Sequence, residues 1–162
     1  MRRKQTTERA MPMNKTIKKE PVKKVTKKEM KEVKKEPKSS SKKKILIVED
    51  EKPIARALEL KLTHVGYEAK TAFNGEEALP LIETESFSLI LLDLIMPKVD
   101  GFKVLEALKE KNNKTPVIVL SNLSQEEDEK RVMGLGAVGF FIKSNSSITD
   151  IVQRVQEKLG TP

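Results

Sequence analysis

Short, continuous runs of apolar residues recur along the second part of this 162-residue chain, and they constrain its fold more than any other feature. The strongest runs cover residues 45–48, 88–92, 117–120 and 138–142, and a weaker one covers 68–73. Uninterrupted runs of this length are typical of strands that are buried on both faces of a parallel sheet. Segments with apolar residues at helical spacing lie between and after the runs, so the sequence predicts an α/β fold.

The alternation gives five strands and five helices within residues 45–162. Such alternation implies right-handed crossovers and helices on both faces of the sheet. Pro53 stands where a first helical residue is expected, and Gly66 where that helix should end in a left-handed conformation. Asn74 is predicted to cap the second helix. Pro80 conflicts with that helix, which we therefore expect to be kinked or to begin late.

The net charge of +8 conceals two parts of opposite sign. Residues 1–44 carry 18 Lys or Arg and five Glu, whereas residues 45–162 carry 14 Lys or Arg and 19 Asp or Glu. The first part has no leucine and no aromatic residue, so it has too little apolar surface to offset the entropy of ordering. We expect a disordered lysine-rich arm at residues 1–44 and a folded domain at 45–162.

Composition excludes several classes of function. The chain has no cysteine and one histidine, which rules out disulfides, thiolate metal sites and histidine-rich metal sites. No apolar run approaches the roughly 20 residues that span a bilayer, and no secretory signal core follows the basic N-terminus. A soluble cytoplasmic protein without membrane insertion is therefore expected. His64 suits the end of the first helix better than a phosphohistidine role.

Polar residues stand at the carboxyl ends of four predicted strands, where ligands of parallel sheets bind. Glu49 and Asp50 follow the first strand, Asp93 the third, Ser121 the fourth and Lys143 the fifth. Singly, they suit helix caps, a turn and a solvated lysine. Three carboxylates meeting at one edge would repel each other unless a cation lay among them, and oxygen ligands suit Mg²⁺. With a lysine and a hydroxyl nearby, the set fits phosphoryl transfer.

These motifs resemble a known family. The acidic run Val48-Glu49-Asp50-Glu51 and the segment Leu92-Asp93-Leu94-Ile95-Met96-Pro97-Lys98-Val99-Asp100-Gly101 are similar to the acidic pair and phospho-acceptor loop of response-regulator receiver domains in two-component signalling. Ser121, Lys143 and Phe140 match the family's hydroxyl, lysine and switch aromatic. The resemblance covers residues 45–160. It implies a flavodoxin-like, doubly wound sheet of strand order 2-1-3-4-5, as in single-domain chemotaxis receivers.

The resemblance also implies roles for the site residues. Asp93 would accept a phosphoryl group from a sensor histidine kinase or phosphotransfer protein. Asp50, Asp93 and the backbone carbonyl of Ile95 would hold Mg²⁺, with Glu49 acting directly or through water. Lys143 would pair with a phosphoryl oxygen.

The implied output is a switch. Ser121 and Phe140 would move on phosphorylation and alter a face formed by the fourth helix, fifth strand and fifth helix, which an unidentified downstream protein would read. For Phe140, plain core packing is the competing interpretation. The chain would then be a signalling phosphoprotein that assists its own phosphorylation and dephosphorylation rather than an enzyme.

Three departures from the family pattern bear on the site. Ser144 replaces a proline that usually follows a cis bond, and a cis bond before a non-proline residue costs roughly 3 kcal/mol, so a trans bond is expected here. Apolar Ile95 and Leu123 stand where the family controls water access, which leads to the hypothesis of a long-lived phosphorylated state. Asn122 is larger than the usual residue and would narrow the entrance.

Two rival functions remain open from the sequence. One is a phosphorylation-independent pseudo-receiver, an interaction module that keeps the pocket. The other is a metal-dependent phosphatase, disfavoured because Ile95 stands where such enzymes carry a second aspartate. The arm at residues 1–44 could bind nucleic acid nonspecifically through counterion release, or have no partner.

Overall fold

The computed structural model describes residues 42–162, and most of the predicted disordered arm (1–44) lies outside this range. The described elements follow in the order β1 (Lys44–Val48), α1 (Lys52–His64), β2 (Glu68–Ala72), α2 (Gly75–Thr84), β3 (Leu89–Asp93), α3 (Gly101–Glu110), β4 (Val117–Ser121), α4 (Glu126–Gly134), β5 (Gly139–Ile142), a 3-10 turn (Lys143–Asn145) and α5 (Ile148–Leu159).

The five strands form one parallel sheet of order β2-β1-β3-β4-β5, which confirms the predicted topology. The central strands β1, β3 and β4 are almost wholly buried, as their continuous apolar runs predict. The edge strand β2 is half-buried and carries Glu68 and Lys70, which explains its weaker apolar signal. Charged residues on an edge strand also oppose pairing with other chains.

Each face of the sheet has its own core because side chains alternate along a strand. On one face, Leu46 and Val48 of β1 pack with residues of α2, α3 and α4. On the other face, Ile45 and Ile47 pack with residues of α1 and α5. Helices therefore cover both faces, as a doubly wound sheet requires.

Local signals for the helix ends are mostly confirmed. Gly66, two residues after the last residue of α1, has a positive φ of 104°. The Asn74 side chain accepts a 3.1 Å hydrogen bond from the N–H of Glu77 at the start of α2. Pro80 lies inside α2, so the expected late start is wrong. Because Pro80 has no N–H, the carbonyl of Glu76 loses its partner within the helix. Glu76 is exposed, so that carbonyl can bond to water instead and the helix tolerates the proline.

Candidate functional site

Four strand ends bring polar side chains to one edge of the sheet. Asp93 and Ser121 are the last residues of β3 and β4, rather than the first residues after them, while Glu49 follows β1 and Lys143 follows β5. Glu49, Asp93 and Ser121 are buried. Buried polar side chains need partners, so their contacts define what this edge of the sheet can bind.

Lys143 joins two of these strand ends. Its Nζ lies 2.7 Å from Asp93 Oδ2 and 2.7 Å from Glu49 Oε2, and 3.8 Å from an oxygen of Glu51. The lysine side chain is only 9% exposed, so water screens these contacts weakly. One ammonium thus faces several carboxylates, and the pocket retains an excess of negative charge.

Three carboxylates form a candidate metal site. Oxygen atoms of Glu49, Asp50 and Asp93 all lie within 4.8 Å of one another. Oδ1 of Asp50 is buried and has no hydrogen-bond partner among the described residues. A buried, unpartnered carboxylate oxygen beside two other carboxylates is a ligand set that suits Mg²⁺, which prefers oxygen ligands. The residues present therefore fit the metal that the sequence predicts.

Burial and charge perturb the titration of the pocket. Burial raises the pKa of both Asp93 and Glu49, while the hydrogen bonds from Lys143 oppose that rise. Burial lowers the pKa of Lys143, but its bonds to the two carboxylates outweigh this effect, so its pKa lies above the ordinary value. The raised pKa keeps Lys143 positively charged, whereas desolvation makes the charged forms of Asp93 and Glu49 less favourable than in water.

The loop after β3 folds tightly around Asp93. The N–H of Ile95 donates to Asp93 Oδ1 at 3.1 Å, and the N–H of Gly101 donates to the carbonyl of Leu94 at 3.1 Å. A Cβ on Gly101 would lie 2.1 Å from the backbone oxygen of Asp93, so only glycine fits there. The Ile95 side chain is 56% exposed beside the site.

The predicted switch residues occupy two different environments. The Ser121 hydroxyl accepts a 3.2 Å hydrogen bond from the N–H of Leu123. Phe140 is half-buried against the core that α2, α3 and α4 cover. Its contacts satisfy plain core packing, and the role as a switch stays a prediction.

The departure at Ser144 does not displace Lys143. All peptide bonds in residues 42–162 are trans, as expected for the bond before Ser144. The 3-10 turn that begins at Lys143 nevertheless leaves the ammonium in contact with Asp93. Asn122 is exposed next to Ser121.

Sequence reasoning missed two contributors to the site. Glu51, the third acid of the run after β1, lies within reach of Lys143, and its position directly beside the acidic pair was the available signal. Gly75 donates its N–H to the carbonyl of Val99 in the loop after β3. That contact joins residues 24 positions apart and leaves no local pattern in the sequence.

No helix in residues 42–162 has the length and apolar character that crossing a bilayer requires.

A family model described as "Response regulator receiver domain" matches residues 45–156. Among curated proteins, the chain is 38% identical over 132 residues to "Probable transcriptional regulator ycf27" of Porphyra purpurea, covering 76% of this chain and 54% of the relative. It is 40% identical over 101 residues to "Alkaline phosphatase synthesis transcriptional regulatory protein PhoP" of Bacillus subtilis, covering 62% and 42%. The chain thus spans about half the length of these relatives.

Solved structures agree with this match. The receiver domain of the Francisella response regulator 1452 superposes with a TM-score of 0.69 at 34% identity, covering 72% of this chain and 96% of that chain. The Thermotoga maritima response regulator TrrA, solved in complex with Mg²⁺-BeF, has a TM-score of 0.64 at 31% identity, covering 72% and 99%. Response regulators are signalling proteins that partner with histidine kinases. The family match over more than two thirds of the chain, together with the sheet order and the acidic strand-end pocket, shows that this chain belongs to the response-regulator receiver family of two-component systems.

Proposed function

We propose that Asp93 is the phospho-acceptor of a Mg²⁺-dependent phosphorelay. The observation that carries the proposal is the position of its buried carboxylate, 2.7 Å from the Lys143 ammonium and beside Glu49 and Asp50. An isolated buried carboxylate would be costly, whereas one that faces a cation and metal ligands is suited to receive a phosphoryl group. The related TrrA was solved in complex with Mg²⁺-BeF, which supports Mg²⁺ as the metal of the proposal.

In the proposed transfer, an Asp93 carboxylate oxygen attacks the phosphorus of a phosphohistidine on a sensor kinase or phosphotransfer protein. The P–O bond to Asp93 forms as the P–N bond breaks, and the imidazole leaves with the electron pair. Asp50, Asp93, the Ile95 carbonyl and Glu49, the last directly or through water, would hold Mg²⁺, which would supply charge neutralisation for the phosphoryl group. Lys143 donates to another phosphoryl oxygen, for which its contact with Asp93 already places it.

The proposed switch connects this site to the face formed by α4, β5 and α5. Ser121 would exchange its bond from the Leu123 N–H for one to the phosphoryl group, and Phe140 would repack behind it. Helix α4 suits a moving element because Val132 is its one buried residue. A downstream protein, not identified by the sequence, would read the altered face. The domain would act as a signalling module that assists its own phosphorylation and dephosphorylation.

We also propose that water has poor access to the phosphoryl group on Asp93. Ile95, two residues after Asp93, is exposed and apolar, and the half-buried Leu123 lies two residues after Ser121. Apolar groups at these positions cannot orient an attacking water, so we expect a long-lived phosphorylated state. A phosphate-release half-life that stays the same in Ile95→Asn would count against this role.

Intact-protein mass spectrometry after incubation with acetyl phosphate and Mg²⁺ tests the phospho-acceptor role. We expect one added phosphate, and none with a chelator or in Asp93→Asn. Asp100→Asn is the matched control, because Asp100 caps α3 and asparagine caps equally well. No phosphate on the wild type would favour the pseudo-receiver alternative, and phosphate on Asp93→Asn would place the acceptor elsewhere.

We also propose that the arm at residues 1–44 binds nucleic acid nonspecifically, on the basis of its 18 Lys or Arg. Binding to duplex DNA should then fall steeply with salt and disappear when the arm is deleted. Absence of binding at low salt would contradict it. A cytoplasmic location is proposed with it, since a chain without cysteine is compatible with a reducing compartment.

A further inference from the structure

The loop between β3 and α3, residues 94–100, is anchored at its base. The bond from the Gly101 N–H to the Leu94 carbonyl closes it, and the Ile95 N–H is held by the Asp93 carboxylate. Lys98, at the far side of the loop, has a positive φ of 65°. A left-handed conformation at a non-glycine residue is sparsely populated and persists where surrounding contacts hold it. The far side of the loop therefore needs support from outside.

Helix α2 supplies that support. Gly75 is its first residue, and the first N–H groups of a helix have no partner within the helix. The Gly75 N–H donates to the carbonyl of Val99 at 3.0 Å. Asn74, buried beside it, caps the helix at Glu77, so the cap leaves the Gly75 N–H available for the loop. The start of α2 thus holds the loop through a backbone hydrogen bond.

Close packing accompanies the hydrogen bond. A Cβ on Gly75 would lie 2.5 Å from Val99 Cγ1 and 2.8 Å from both Val99 Cβ and Val104 Cγ2. Non-bonded carbon atoms essentially never approach this closely, so any side chain at position 75 must displace a valine. The glycine is required by this approach of the loop. Val99 belongs to the loop, whereas Val104 belongs to the core beneath α3.

We infer that Gly75 and Val99 are positioning residues for phosphoryl transfer: the start of α2 holds the loop that carries the Ile95 backbone, and thereby keeps Asp93 in the geometry that binds Mg²⁺. The inference rests on the proposed function of Asp93. The role differs from a purely structural one because a shift of Val99 is expected to move the loop backbone relative to the carboxylates of Glu49 and Asp50. A displacement near 1 Å at a reacting centre costs up to about a hundredfold in rate.

The test is a double-mutant cycle on the full chain, with Mg²⁺ affinity measured by calorimetry and the phosphorylation rate by mass spectrometry. Gly75→Ala should weaken Mg²⁺ binding between about tenfold and about a hundredfold. Adding Val99→Gly removes both Val99 contacts, at 2.5 Å and 2.8 Å, and should restore at least roughly fivefold. Val99→Gly alone should weaken binding by only about threefold, because the backbone hydrogen bond remains.

Two controls separate positioning from stability. Gly134→Ala makes the same change in helix α4, where no atom lies within 4 Å of the added carbon, and should leave Mg²⁺ affinity unchanged. Val155→Ala creates a cavity beneath α5 on the other face of the sheet and should lower stability without changing Mg²⁺ affinity. If Gly75→Ala fails to fold, Val99→Ala and Val99→Gly measure the same contact from the loop side, and unchanged affinity in both would overturn the inference.

The outcomes also separate this inference from the proposed function. Wild-type affinity in Gly75→Ala, or no rescue by Val99→Gly, overturns the positioning role while phosphorylation of Asp93 still stands. A wild type that binds Mg²⁺ but accepts no phosphate overturns the proposed function, and the Mg²⁺ affinities then still decide the role of Gly75. A wild type that binds no Mg²⁺ overturns both.

Discussion

Two clusters of lysines and carboxylates differ in burial and in charge balance. At the carboxyl ends of the strands, the single Lys143 faces Glu49 and Asp93 in a buried pocket. Beside the start of β1 and the edge strand β2, Lys44 and Lys70 both donate a hydrogen bond to Glu85. These side chains are between 25% and 40% exposed. The first cluster has more carboxylates than cations. The second also includes Glu68, 3.2 Å from Lys44, so its two lysines are balanced by two carboxylates.

The pKa directions follow this difference. Burial raises the pKa of Asp93 and Glu49 despite their lysine. At the sheet edge, hydrogen bonds from Lys44 and Lys70 lower the pKa of Glu85. The edge cluster is therefore neutralised by its own residues and contributes to the fold. The pocket is not neutralised, and its excess of negative charge suits a divalent cation.

Removal of the pocket lysine should have the largest effect. Lys143→Met leaves buried carboxylates without a cation and should lower the free energy of unfolding by about 3 kcal/mol at pH 7 without Mg²⁺. Adding Mg²⁺ should restore part of the loss, since the cation replaces the missing charge. Lys44→Met in the exposed cluster is the matched control, with a smaller loss that Mg²⁺ does not repair. Urea denaturation measures both, and equal losses would remove the distinction between the clusters.

Neutralisation of Asp93 should have an intermediate effect of opposite sign. Because the folded pKa of Asp93 is raised, its stabilising contribution is present below the ordinary value of 3.8 and is lost as the pH rises through the raised pKa. Asp93→Asn should therefore raise the free energy of unfolding by about 1 kcal/mol at pH 7 without Mg²⁺. The gain should vanish below about pH 4. A variant less stable than the wild type at pH 7 would show that the attraction between Lys143 and Asp93 outweighs the cost of desolvating the carboxylate.

Glu85→Gln should show the smallest effect and the reverse dependence on pH. Because the folded pKa of Glu85 is lowered, its contribution is present above the ordinary value of 4.5 and is lost as the pH falls through the lowered pKa. The melting temperature of the variant should lie slightly below that of the wild type at pH 7, and this difference should disappear at acidic pH. Salt at about 1 M should reduce the difference at pH 7, because exposed charges are screened. A salt-independent difference would indicate packing rather than charge.

The sequence predicted the parallel strands and the shared edge of the four polar positions because both follow from local patterns, whereas the strand order came from the resemblance to receiver domains. Apolar runs mark the buried strands, and parallel strands all end at the same edge. The contact of Lys143 with both Glu49 and Asp93 depends on how far a long side chain reaches across that edge. No periodicity encodes such a distance.

Two further features depended on tertiary packing. The support of the loop by Gly75 requires α2 to approach residues that lie in another crossover, so Asn74-Gly75 indicated only a helix cap. Pro80 was judged by helix propensity alone. The exposure of Glu76 decided that the helix would continue through it.

A Mg²⁺ titration of the full chain tests most directly whether the carboxylates of Glu49, Asp50 and Asp93 form one cation site. Calorimetry should show one bound ion, with affinity that weakens as the pH falls because Asp93 and Glu49 must lose their protons. Asp50→Asn should weaken binding at least about tenfold, since it alters the unpartnered oxygen, whereas Asp128→Asn on α4 should leave it unchanged. Absence of binding, or equal affinity in the wild type and Asp50→Asn, would contradict the account.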